Sequence, residues 1–238
     1  MLQSGGGSVP AEVSEPHQRA RTSVSDSSMI VTHAGAESSA ASPGVRGLRP
    51  TSRALLAIAS LALALLFLLP LWHIRLKAPQ YPEGLGFYIA IRHIEGEHPQ
   101  DLGSINNLNH YIGMKRITPE DIPELRYMPW LVLGLIGTGL AAAALGRRVP
   151  LYLWTGLLGA VALAGLADFY RWTYDYGHDL DPQAIIKIPG MSYQPPLLGT
   201  KQLLNFSATS WPASGGWFLI AALLTAIWLT VVEYREAR

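Results

Sequence analysis

The stretch Asn109-His110-Tyr111-Ile112-Gly113-Met114 holds the residue types best suited to chemistry. In a helix, residues four apart share one face, so His110 and Met114 would lie side by side. Imidazole with thioether is a soft donor pair. It suits copper, above all Cu(I), in a compartment where thiols oxidise. His178 and Met191 offer the same pair farther along the chain. Four such ligands drawn from two loops would close a metal site, and copper as Cu(I) is the cofactor they imply. The plainer alternative packs Met114 in a loop core and gives His110 a hydrogen-bonding neighbour. A single His-x-x-x-Met is common by chance.

Other chemistries find less support. The 238-residue chain has no cysteine, which excludes disulfides, thiolate zinc, iron–sulfur clusters, c-type haem attachment and a lipoprotein anchor. It has no G-x-S-x-G, H-E-x-x-H or phosphate loop. Asp168, Asp175, Asp179 and Asp181 are not spaced as a calcium loop and read as a solvated acidic turn. Glu120 and Asp121 suit the first turn of a helix, where its dipole favours acidic groups. No nucleophile or acid/base set stands out, so no catalytic residues are expected and the chain is read as a non-enzyme. Lys plus Arg number 18 against 17 Asp plus Glu, scattered along the chain, which gives no nucleic-acid signal.

The elements that must position these groups are mostly apolar. Charged residues make up only 15% of the chain. Crossing a bilayer takes about 20 apolar residues. Four segments qualify: 54–72, 130–146, 151–167 and 216–232, none with a charge in its interior. Arg46, Arg49 and Arg53 precede the first, Arg147 and Arg148 join the second to the third, and Arg235 and Arg238 follow the fourth. Basic residues at span ends mark the cytoplasmic side. Both termini and the 147–150 turn are therefore expected inside, with 73–129 and 168–215 outside. The first span reads as a signal anchor, because its apolar run outlasts a cleavable signal and no small-x-small site follows. Glycines 134, 137 and 139, and 156, 159 and 165, suggest close helix approach. No span interior carries histidine or ionisable groups, so transport and haem held between spans are not expected.

Residues 1–53 read as a disordered cytoplasmic tail, in which His17 and His33 have no expected role. The outer loops are too long to be simple connections and should fold. Alternation in Gly84–Ile94 sets Phe87, Ile89 and Ile91 on one strand face. Asp101 should cap a helix ending at Gly113, and Thr118-Pro119-Glu120-Asp121 should start a short one. Ala184–Ile188 reads as a second strand. Tyr170, Trp172, Tyr174 and Tyr176 alternate with polar residues, as a stripe at the membrane interface or against a partner would. A faint echo pairs Gln80–Gly86 with Tyr193–Gly199, and Asn106–Asn109 with Gln202–Asn205, hinting at duplication. The expected fold is thus all-α transmembrane with four helices, plus a small α+β extracytoplasmic domain formed by the two outer loops.

Three stretches resemble a family of bacterial four-span membrane proteins encoded beside nitrous-oxide reductase and its copper chaperones: Ala78–Pro82, Ile105–Lys115 and Pro189–Pro196. The resemblance covers about residues 70–235 and leaves out the tail. It implies an accessory role, in the bacterial inner membrane, in periplasmic copper handling or nitrous-oxide reductase maturation. The implied partners are the lipid bilayer and a periplasmic copper enzyme or copper chaperone. The family's gene neighbourhood, not an activity, supplies that role, and no residue roles come with it. His110, Met114 and Met191 fall inside the shared stretches. The alternative is a docking module for a membrane-associated redox complex that binds no metal.

Overall fold

The computed structural model describes residues 47–238 apart from Leu204. The expected tail lies outside the described residues as far as residue 46, and His17 and His33 with it. In chain order the elements are α1 (Pro50–Ala62), β1 (Trp72–Ala78), β2 (Tyr81–Ile89), β3 (Ile94–Gly96), α2 (Asp101–Ile112), α3 (Glu124–Leu145), α4 (Arg148–His178), β4 (Gly199–Leu203), β5 (Phe206–Pro212) and α5 (Ser214–Arg235). Short 3-10 turns at Leu63–Phe67 and Pro119–Asp121 extend α1 and precede α3.

Four helical segments are long and apolar enough to cross a membrane: Pro50–Phe67, Glu124–Leu145, Arg148–His178 and Ser214–Arg235. They form a square bundle, with α1 and α4 each packed against both α3 and α5. Leu56, Leu63, Leu151, Leu158 and Leu229 fill its centre. Ile58, Leu153, Leu163, Leu224 and Trp228 stay exposed on its outside. Helices apolar all round belong in lipid, so the chain is a multi-pass membrane protein. Its first helical segment stops at Phe67, short of the expected 72, because Trp72 begins a strand.

The glycine expectation needs correcting. Of these six glycines only Gly139 makes a tight approach: a Cβ there would meet the Ser60 hydroxyl and the Trp154 ring. Gly134, Gly137, Gly156 and Gly165 face open space, and Gly159 has only Leu223 at van der Waals distance. Repeated small residues do not by themselves define the packed face.

The three basic places meet at one end of the bundle. The Leu48 N–H donates to the Gly146 carbonyl at 2.7 Å. Arg53 donates to the free carbonyls of Ala143 and Ala144, both at 2.9 Å, capping α3. Glu233, fully buried, accepts from the Ser52 hydroxyl at 2.6 Å and Arg148 Nε at 3.3 Å, with Arg49 Nε at 4.0 Å. Arg49 also pairs with Glu236. The sequence reading passed over Glu233 because it lies one residue beyond the last apolar run.

At the other end, both interspan segments build one antiparallel sheet of five strands, in the order β3-β2-β1-β5-β4. The central strand, β1, alternates. Ile74 and Leu76 face inward, paired with Phe87 and Leu85 of β2; His73, Arg75 and Lys77 face outward. The inner face packs on α2 through Ile105, and on the last turns of α4 through Phe169, Trp172 and Tyr176.

Several expectations shift here. The strand predicted over 84–94 runs from Tyr81 and stops at Ile89, and a turn closed by Ala90 N–H to His93 O at 2.9 Å leads into β3. Ile91 leaves the strand face and joins the bundle core. Ala184–Ile188 is not a strand; Ile185, Ile186 and Ile188 are exposed in an irregular segment. The echo between the loops is not structural, since Asn106–Asn109 lies in α2 and Gln202–Leu203 in β4.

Candidate functional site

The chemistry-bearing segments converge where α2 and α4 end. α2 terminates at Gly113, whose φ of 81° is a left-handed conformation natural to glycine. The Met114 N–H returns to the Asn109 carbonyl at 2.9 Å. That reversal corrects the shared-face argument: Met114 lies past the helix, so it is not one turn above His110. Asn109 Nδ2 donates to the Lys115 carbonyl at 3.2 Å, and Asn106 bonds Ile117 through both its N–H and C=O, at 2.7 and 3.1 Å. The two asparagines thus fold the chain after α2 back along it.

This end of α2 is strapped to the segment after α4. Asp181 N–H donates to Gly113 O at 2.8 Å, and Ile186 N–H to Tyr111 O at 2.9 Å. Lys115 Nζ lies 2.6 Å from Asp179, and that bond raises the lysine's pKa against the opposing effect of burial. The segment carrying Met191 docks beside His178, with the Tyr193 N–H donating to Gly177 O at 2.9 Å. Gly177 permits the contact, because a Cβ there would strike the Gln194 backbone. The stretches holding His110, Met114, His178 and Met191 are therefore tied to one another.

Their side chains are disposed differently. His178 is exposed and stacks on Tyr174 with ring centroids 3.9 Å apart. Its Nδ1 lies 2.9 Å from the Tyr174 carbonyl, which assigns the proton to Nδ1 and leaves the Nε2 lone pair open. His110 is exposed near Tyr111. Met114 turns inward and lines a cavity, and Met191 is half-buried. Among the described residues, no three His, Asp or Glu side chains gather as a metal site.

The cavity, of about 380 Å³, lies between the inner sheet face, α2 and the end of α4. The predicted aromatic stripe is part of this arrangement, but at helical rather than alternating spacing. Trp172 and Tyr176 turn towards the cavity, while Tyr170 and Tyr174 form an exposed row with His178. The sequence reading missed Tyr193, which lines the cavity and is almost wholly buried; the Tyr-Gln-Pro-Pro run signalled only an extended segment.

Asp101 anchors the site's scaffold. It was expected to cap α2, yet it is the helix's first residue and reaches back instead. Its Oδ2 accepts from the Gly86 N–H at 3.0 Å, the His98 N–H at 3.2 Å and His98 Nδ1 at 3.1 Å. Burial pushes its pKa up, but these donors outweigh burial and hold the carboxyl below its ordinary value. On the outer sheet face, His73 stacks on Tyr88 and lies 3.3 Å from Glu97, which Arg75 also approaches at 3.6 Å.

No protein-family model, curated protein or solved structure matches the chain.

Proposed function

We propose that the chain is an accessory protein of the bacterial inner membrane. Its sheet-and-helix module would work on the periplasmic side, in copper handling or nitrous-oxide reductase maturation. Both termini and the 147–150 turn would then face the cytoplasm. The carrying observation is the strapping of the His110–Met114 end of α2, His178 and the Met191 segment around one helix end. It supports the reading because the straps keep these donors, of the soft type that suits Cu(I), on segments tied to one another. The open Nε2 of His178, with its other nitrogen fixed by a carbonyl, has the form of a metal-ligating imidazole. The module binds and passes on the ion; it does no catalysis.

Cu(I) titration of the full chain in detergent, against a competing chelator, tests this. Wild type should bind copper, and the His110→Ala, Met114→Ala and His178→Ala, Met191→Ala double variants should bind it more weakly. Unchanged affinity in both would sink the ligand assignment.

A second reading, docking of a membrane-associated redox protein without metal, draws on the exposed Ile185, Ile186 and Ile188. Pull-downs with and without a copper chelator separate the two.

A further inference from the structure

A partly open pocket of about 380 Å³ lies between the sheet and the helices covering it. The volume falls within the range of about 300–1,000 Å³ found for small-molecule sites. Ile74, Leu76 and Phe87 wall the cavity from the sheet, Ile105 and Leu108 from α2, and Trp172 from α4. Among the described residues no charged side chain lines it, so an ionic ligand would find no counter-charge there. Its hydrogen-bonding capacity is selective. Tyr176 already donates to the Arg116 carbonyl at 3.0 Å. Two buried donors on its lining residues, the hydroxyl of Tyr193 (2% exposed) and Nε1 of Trp172, have no hydrogen-bond partner among the described residues. A buried hydroxyl without a partner is costly to the fold unless something else meets it. The wall is also continuous with the membrane, since α4 runs unbroken from its apolar span up to Trp172 and Tyr176.

We infer that this cavity binds a neutral lipophile from the adjoining leaflet, one that presents a carbonyl-type acceptor to the Tyr193 hydroxyl. Two membrane sources share that chemistry: a quinone and a fatty-acyl ester. The site needs no metal and does not rest on the copper reading.

The test uses the full chain in nanodiscs of ether-linked phospholipid, which carry no fatty-acyl ester, with radiolabelled decylubiquinone and methyl dodecanoate as separate probes and empty nanodiscs as baseline. At least one probe should saturate near one per chain. Tyr193→Phe keeps the ring and removes the donor, and should weaken that probe by roughly 2- to 12-fold, the worth of one net hydrogen bond. Leu108→Trp, which fills the cavity, should abolish binding; should it unfold the module, Tyr193→Phe alone decides. Saturation by decylubiquinone only identifies the quinone class, and by the ester only the acyl class. No saturable binding of either probe above empty discs overturns the proposal. So does Tyr193→Phe binding the saturating probe as tightly as wild type.

Discussion

Removing the Asp101 carboxylate tests whether one side chain holds the sheet to α2. One oxygen, Oδ2, serves the Gly86 N–H at 3.0 Å, the His98 N–H at 3.2 Å and His98 Nδ1 at 3.1 Å. Asp101→Ala leaves the Gly86 N–H buried with no acceptor, because strand pairing uses the carbonyl of Gly86 and not its N–H at this site. Each hydrogen bond to a charged group is worth about 1.5–3 kcal/mol. Water can reach His98, whose side chain is 65% exposed, so its share is smaller. The variant should therefore make opening of the module easier by about 2–4 kcal/mol, which speeds hydrogen exchange at Gly86 by roughly 30- to 900-fold. Asp101→Asn retains an acceptor and should lose about half as much. The pH dependence has a definite sign. A carboxyl held below its ordinary value near 3.8 stabilises the fold above that pH. Its contribution disappears as pH falls through the lower folded value, so the Gly86 amide should lose protection only in that acid range. Gly86 exchange that is the same in wild type and Asp101→Ala would mean that the carboxylate does not hold the sheet to α2.

Glu233→Ala leaves Arg148, 16% exposed, beside an empty buried site; removing one partner of a buried pair costs about 3–5 kcal/mol, and melting in detergent should fall by roughly 6–20 °C. Adding Arg148→Ala should restore part of that loss. Gly139→Ala forces a methyl into Ser60 and Trp154 and should cost about 1–3 kcal/mol. Gly134→Ala enters open space and should be neutral or stabilising by up to about 1 kcal/mol, as thermal unfolding will show. Because the chain has no cysteine, single cysteines report topology cleanly. Under the proposed orientation an impermeant maleimide labels Lys187→Cys in spheroplasts, and Arg147→Cys only after lysis.

The spans were legible because apolar runs of that length have few alternatives. α2 was equally plain, with Ile105 and Ile112 at helical spacing and Gly113 as its stop. The sheet was only partly readable. β1 alternates as clearly as β2, but Trp72 at its start also completes an apolar span, and the membrane pattern took precedence. β5 carries small side chains inward at Ala208 and Ser210, opposite Leu76 and Ile74, so its sequence shows little hydrophobic contrast. Ala184–Ile188 has the composition of a strand but finds no neighbouring edge, and pairing rather than propensity makes a strand.

The candidate site was legible as residue types and not as geometry. His110 and Met114 were read as one helical face although Gly113, legible as the helix stop, lies between them, and α2 does end there. Strapping by Asp181, Ile186 and Tyr193 depends on main-chain groups, which leave no mark in side-chain spacing. The cavity depends on four elements meeting, and its free hydroxyl becomes visible only when every neighbour of Tyr193 is in place.

Elemental analysis of the full chain purified from its native membrane, grown with copper, decides whether the protein carries the metal. Copper should stand near one equivalent per chain and be lowered in the His178→Ala, Met191→Ala variant. Copper at background, or equal copper in wild type and variant, would contradict the copper proposal.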